Sequence, residues 1–472
     1  MSTSKITVKP HFLHLARLVS PYLTFLIIPA ARALFLYFAY GKASLTRTFV
    51  AEGIAVFLTV ALSIFKLRQM EIVFCGNISV KRGLIFRVNY VIPESASRVL
   101  VLERNPLLTL FGAVRLKIYT EAGSRKRSDE NILISRKTAE LLRGSYKTLG
   151  QTVKSNTFGE VIMSAALSSV TTGLLLALPA IKIIMSLLGK SLPSLLPTAN
   201  PENLSSVGFA KFGRGITLLL IVGYIISFLV LLLRNFGFFS VRSGNKIMLS
   251  SGKLPNRTAF LEADSVHAVR TVTAPLMLLV KKCAVKFSVC GYGRLKGEIG
   301  LLFPCVRPSI AKGLTSWLLP RFKSVEYTIK PDKRAVRRIV WLPLFLSFLA
   351  APVLAVAKFK LRPLQNFAVF VSAVLIGLGS TLLGMRLYAL KRGGLSVDSR
   401  LVTAKGTSGF FVDELQIQSQ SLLFMRISST PFDRRFNHCT VKLRAVGKNQ
   451  ESVRVKYLLY KKVERVKNEI LL

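Results

Sequence analysis

Long apolar runs punctuate this 472-residue chain, and between them lie short stretches in which apolar and basic residues alternate, as in Val114-Arg115-Leu116. Six runs are long enough to cross a hydrocarbon core of about 30 Å, which takes roughly 20 helical residues. They are approximately Leu18–Tyr40, Thr48–Phe65, Val161–Leu188, Gly215–Leu233, Ile339–Ala357 and Leu364–Leu383. They come in pairs, joined by "GKASLTR", by the Pro-rich "GKSLPSLLPTANPENLSSVGFAKFGR" and by "KFKLRP". The pattern predicts three transmembrane helical hairpins. The first run is too long, and too closely followed by the second, to be a cleaved signal peptide.

The stretches that follow the hairpins share one skeleton. An isoleucine or leucine stands five residues ahead of a glycine turn: Ile78 and Gly83, Ile247 and Gly252, Leu401 and Gly406. A proline follows at similar distance (Pro106, Pro275, Pro431), then an alternating strand: Val114-Arg115-Leu116, Val285-Lys286-Phe287, Val441-Lys442-Leu443. A polar turn, a further strand and a helical segment close each copy, as in "SRKTAELLRGSYKTL", "VRPSIAKGLTSWLL" and "YKKVERVKNEILL". Short strands with glycine turns are common singly, but the same order in triplicate marks an internal repeat. The expected fold class is therefore an α+β membrane protein, with six transmembrane helices and three small β domains each closed by a C-terminal helix. Its segments are a first hairpin with the N-terminal segment (1–66), a β domain (67–155), a second hairpin (156–234), a β domain (235–332), a third hairpin (333–385) and a β domain (386–472).

Composition agrees with a mixture of spans and soluble parts: 51% of residues are hydrophobic and 19% charged. With 67 Lys and Arg against 22 Asp and Glu, the net charge is +45. Such a surface attracts polyanions, and beside apolar spans the anionic leaflet is a nearer partner than nucleic acid. Positive-inside asymmetry puts the β stretches and both termini on the cytoplasmic side of the cell membrane. The juxtamembrane Lys66, Arg68, Arg338, Lys391 and Arg392 point the same way. Cys75, Cys283, Cys290, Cys305 and Cys439 are odd in number and scattered, so they read as reduced thiols.

Paired spans flank β units with "RG" or "SG" after the first strand, and "PL" precedes a Val-basic-Leu strand; the first unit adds Ile92-Pro93, Arg98-Val99 and Phe111-Gly112. In these features the chain resembles the bacterial membrane-flanked domain, a pleckstrin-homology-like family, and among its members the YdbT-like ones with three tandem copies. The second and third units lack the glycine after the aromatic and read as diverged copies. The resemblance implies pleckstrin-homology-like β domains and a role in envelope maintenance or in resistance to membrane-active antimicrobial peptides. It also implies a smaller, one-repeat companion membrane protein. The basic pattern by which eukaryotic relatives bind phosphoinositides is absent from "SVKRGLIFRVN", "LSSGKLPNR" and "TAKGTSGFF".

An enzyme needs a nucleophile, an acid–base pair or a metal cluster. His11 and His14 fall at i, i+3 with no third ligand near, and His267 and His438 stand singly. The pairs Asp129-Glu130 and Asp413-Glu414 read as polar turn or strand-edge positions, away from any apolar stripe that would raise a pKa. In "CGYGRLKGEIG", Gly291, Gly293 and Gly297 are followed by an apolar strand-like run, so a hairpin turn is a better reading than a phosphate loop. No catalytic residue, metal or cofactor is expected.

Two features remain. Arg32 lies within the first apolar run, close after Pro29, where a charge is costly; it either pairs structurally or marks a path through the membrane. Lys182 lies near the end of its run and can snorkel. On the repeated strand, Val114, Leu116 and Ile118 face one side, Arg115 and Lys117 the other, and Lys286, Lys442 and Arg444 take the equivalent outward positions. These bases are either solvated surface or faces held against an anionic leaflet, where each contributes about 1 kcal/mol. The expected function is a non-enzymatic membrane-surface binding or assembly scaffold. The alternative is a transporter or flippase using the six helices.

Overall fold

The computed structural model describes residues 6–40, 45–83, 87–93, 98–120, 128–147, 151–155, 158–166, 222–223, 225–252, 256–289, 292, 300–323, 326–359, 365–446 and 451–471. The chain divides into two compact units, one built mainly from residues 1–151 with 241–250 and 254–262, the other from the rest.

In the first unit, β1 (Ile6–Val8), β2 (Glu71–Cys75), β3 (Asn77–Arg82) and β4 (Val88–Ile92) form a sheet in that order. The helices His14–Tyr40 and Leu45–Arg68 pack together between β1 and β2 in the chain. Next come β5 (Arg98–Arg104), β6 (Ala113–Thr120) and β7 (Glu130–Ser135). The strands β8 (Gln151–Ser155) and β9 (Phe239–Ser243) carry the chain from one unit to the other and back, before β10 (Lys246–Ser251) and β11 (Asn256–Glu262). The second sheet runs β7-β6-β5-β11-β10 within this unit. Alternation explains the faces: Val114, Leu116 and Ile118 of β6 are buried.

The second unit holds a six-stranded sheet, ordered β14-β13-β12-β17-β16-β15. Its strands are β12 (Val266–Thr273), β13 (Cys283–Val289), β14 (Leu301–Val306), β15 (Gly394–Val397), β16 (Leu401–Ser408) and β17 (Phe411–Gln418). A three-stranded sheet follows, β18 (Leu422–Ser428), β19 (His438–Ala445) and β20 (Ser452–Leu459). One core joins the two sheets: Val402, Ala404, Leu415 and Ile417 pack with Val441, Leu443, Val453 and Val455. The closing helix Tyr460–Leu471 adds Val463 and Val466. Gly406 sits where β16 meets β20; a Cβ there would overlap the Arg454 carbonyl and lie 3.2 Å from the Val455 Cα. Its role differs from that of Gly83 and Gly252, which hold φ of +113° and +88° as turn residues. The helices Val336–Phe348 and Gln365–Arg392 pack closely, with no room for a Cβ at Gly379 against Ser347 and the Pro343 carbonyl.

The structure corrects the fold class read from the sequence. Six transmembrane helices are not seen among the described residues. Among the described residues, two helices, Val50–Arg68 and Lys333–Ala355, are long and apolar enough to cross a membrane. Most of the third predicted span, with Lys182, and the start of the fourth fall outside the described residues. Nor do the described residues form three self-contained pleckstrin-homology-like β domains; they form four sheets, two of which pair strands across repeat borders. Strand β5 of the first copy pairs with β11 of the second, from Arg104↔Asn256 to Val99↔Leu261. Strand β12 of the second pairs with β17 of the third, from Ala268↔Ile417 to Thr273↔Val412. The reason is physical: a three-stranded half-copy leaves an open edge of unpaired N–H and C=O groups, and the next copy supplies the strand that closes it.

Candidate polyanion-binding face

Strands β18, β19 and β20 alternate cleanly. One side of β19 and β20 enters the core, and the other carries Thr440, Lys442, Arg444, Ser452, Arg454 and Lys456. Antiparallel register then aligns charges that the sequence separates: Arg426 lies opposite Lys442, and Lys442 opposite Arg454. Like charges directly opposed cost roughly 0.2–1 kcal/mol per pair. Nothing on the strands offsets this, since among the described residues no carboxylate pairs with Arg426, Lys442, Arg444, Arg454 or Lys456. The Arg444 guanidinium lies 5.6 Å from the centroid of the exposed Phe424 ring. Dehydration, with repulsion from Arg386 and Arg454, holds the Lys456 ammonium below its ordinary pKa. A face of five cations with an exposed aromatic is suited to a polyanionic surface.

The bulge in β20 extends this chemistry. Tyr457 takes φ +62°, an uncommon value for a bulky side chain, where the register with β19 shifts. Beside it a cavity of about 30 Å³ is lined by Arg386, Lys405, Lys456, Tyr457 and the β16 backbone at Gly406. Lys405 is committed to Glu414 at 3.0 Å, whereas among the described residues Arg386 reaches only the Ile339 carbonyl, at 3.4 Å.

The other bases singled out from the sequence have different surroundings. Arg115 and Lys117 flank Glu103, a β5 carboxylate only 5% exposed, together with Arg257 of β11. Lys117 and Arg257 approach it to 2.9 Å, and Arg115 to 4.0 Å. Burial alone would raise the Glu103 pKa, but the hydrogen bond and charge of Lys117 and the charge of Arg257 outweigh it and lower it. Lys286 is exposed on β13 opposite Arg270, which binds the fully buried Asp413 at 2.6 Å. Burial raises the Glu451 carboxyl in the same cluster despite the charges of Arg270 and Lys286. Thus Lys442 and Arg444 stand on the all-cation face, while Arg115, Lys117 and Lys286 lie beside buried acids. Arg32 falls in the helix His14–Tyr40, and its side chain lies outside the described residues.

Sequence reasoning misplaced one carboxylate pair. Asp413 and Glu414 are not at a turn or edge but in β17, between β12 and β16, and both are buried. Asp129 accepts from the Thr120 amide and hydroxyl at 2.5 and 2.8 Å, and Glu130 from Arg82 and Tyr90. The buried His14 ring accepts from the Leu133 amide at 3.4 Å; dehydration and the charges of Arg17 and Lys66 lower its pKa to about 4. His438 lies 2.9 Å from Asp332, and His267 from Ser421 at the same distance. Cys283, Cys305 and Cys439 are buried free thiols and Cys75 is exposed; burial pushes the Cys283 thiol up to about 12. Gly291, Gly293, Gly297 and Cys290 lie outside the described residues. Arg426 and Arg454 were missed because they belong to other strands, and only register joins them to Lys442. No family model, curated protein or solved structure matches the chain.

Proposed function

We propose that this protein is a membrane-anchored, non-enzymatic scaffold whose cationic sheet face binds an anionic lipid surface. The observation that carries the reading is the Arg426–Lys442–Arg454 rung, three opposed cations with no acidic partner among the described residues. A fold tolerates such repulsion at small cost, and a bound polyanion reverses its sign. The net charge of +45 and the two membrane-long helices favour a leaflet as that polyanion. The same reading puts the β units on the cytoplasmic side of the cell membrane, with a smaller one-repeat companion as a protein partner and a role in envelope protection.

The test uses the full-length protein held in nanodiscs of zwitterionic lipid and measures binding to free vesicles. Vesicles with a substantial anionic fraction should bind, purely zwitterionic vesicles should not, and raising the salt should weaken the interaction. Equal binding to both vesicle types, or a clear preference for a short nucleic-acid duplex, overturns the proposal.

A further inference from the structure

The proline that opens each repeat's short helix also sets up an exposed apolar tip. The helix Pro106–Leu110 leaves Leu107, Leu110 and Phe111 in the open; Pro275–Leu279 does the same with Leu276, Leu279 and Val280, and Pro431–Arg434 with Phe432 and Phe436. Leu110 is 80% exposed, Leu279 79% and Phe432 77%. Each tip ends on a left-handed residue: Gly112 at φ +67°, Lys281 at +54° and Asn437 at +54°. Two of these are not glycine, yet they keep the turn, so the geometry recurs where the residue type does not. A lone exposed leucine means little, but a recurring cluster of large apolar side chains on one rigid turn marks a contact surface.

In the second unit, both tips are fixed to the ends of apolar helices. Arg338, near the start of the membrane-long helix Lys333–Ala355, donates to the Asp433 carboxylate and to the Phe432 carbonyl, each at 3.0 Å. Its guanidinium also lies 4.0 Å from the centroid of the Phe436 ring. Leu278 of the other tip packs against the cluster of Met385, Ala389 and Val412, the first two near the end of the helix Gln365–Arg392. Those two helix ends are adjacent: Arg386 bonds the Ile339 carbonyl, and Gly379 meets Pro343 and Ser347 further along, so the helices run antiparallel. At this one level the structure gathers exposed apolar tips, the bases Lys281, Arg337, Arg434 and Arg435, and the exposed Trp341 one turn along the helix. Apolar side chains interleaved with bases and tryptophan at a helix end match the chemistry of the headgroup–acyl boundary.

We propose that the tips Pro275–Leu279 and Pro431–Arg434 insert into the membrane interface, forming with Arg338 and Trp341 a collar that seats the second unit's sheets on the leaflet. This rests on the proposal above that the apolar helices cross a bilayer. The turn is rigid through its proline, so little conformational entropy is lost on insertion. The neighbouring bases meet anionic headgroups while Leu279 and Phe432 enter the acyl region.

The experiment uses full-length protein with Cys75→Ser and Cys290→Ser, reconstituted in nanodiscs and labelled with an environment-sensitive fluorophore at Leu279→Cys, Phe432→Cys or, as a reference, Phe348→Cys within the membrane-long helix. Lipids carrying a nitroxide near the top of the acyl chain should quench most of the fluorescence at 279 and 432, with a blue-shifted emission, and lipids carrying it deep in the chain should quench the label at 348. Quenching at 348 but not at 279 and 432 overturns the collar and leaves the membrane reading standing. Quenching at none of the three overturns both. Labels at 279 and 432 shielded from aqueous iodide, yet untouched by the nitroxide lipid, mean that protein covers the tips, which also overturns the collar.

Discussion

Asp413→Asn should destabilise the second unit, although sequence alone places Asp413 where such a change is harmless. The carboxylate is fully buried on the central strand β17, and the Arg270 guanidinium approaches it to 2.6 Å across the β12–β17 pairing. Breaking a buried pair by removing one partner typically costs about 3–5 kcal/mol, because the other charge is left uncompensated. Arg270 keeps a side-chain exposure of 26%, so water recovers part of that charge. The expected cost is then about 2–4 kcal/mol, discounted for screening. Equilibrium unfolding of the full chain in detergent, with and without the change, measures it. A double-mutant cycle sharpens the test. Arg270→Met with Asp413→Leu removes both charges together and should fall within about 1 kcal/mol of wild type, well above either single variant. An Asp413→Asn protein unfolding within about 0.5 kcal/mol of wild type would refute the claim that the buried pair is coupled.

Gly406→Ala should cost at the upper end of the roughly 1–3 kcal/mol typical of overpacking, because the new methyl meets the rigid Arg454 backbone; thermal unfolding of full-length protein checks this, and an unchanged midpoint would deny the close strand crossing. The His14 pKa is lowered from 6.5 to about 4 in the folded chain, so the unfolded state binds more protons between those values. Stability from the neutral ring is therefore complete above about pH 6.5 and lost as pH falls toward 4, and His14→Gln should flatten that limb of the pH–stability curve. Lys442→Glu places an acid between Arg426 and Arg454 and should stabilise the three-stranded sheet by up to about 1 kcal/mol while weakening anionic-vesicle binding; stability and binding falling together would break the claimed separation of roles.

Local pattern made much of the strand content legible, and register made the rest invisible. Alternation in "AVRLKIY" tells which side Arg115 and Lys117 take, but not that Glu103 waits there with Arg257, which lies 154 residues away in the chain. The same holds for "FVDELQIQ". Its polar residues suggest an edge, yet β17 is paired on both sides and covered on both faces, so Asp413 finds its partner 143 residues upstream. The repeat was visible from its prolines and glycines. That the copies exchange strands was not, because an edge strand carries no local mark of the partner that will close it. The left-handed residue after each short helix was visible only in Gly112, since Lys281 and Asn437 reach the same conformation without the sequence signal. Nor does "PLMLL" announce its exposure: periodicity counts apolar residues, and only packing decides which of them are covered.

The central claim is that an unpaired cationic face binds an anionic surface. Its most direct test compares full-length wild type with Arg426→Gln/Lys442→Gln/Arg454→Gln, each in zwitterionic nanodiscs, for binding to anionic vesicles at low and high salt. Three surface cations at about 1 kcal/mol each predict a loss of roughly 100-fold at low salt, shrinking as salt rises. The variant should unfold no earlier than wild type, since opposed like charges have been removed. Undiminished vesicle binding by a folded triple variant would contradict the account.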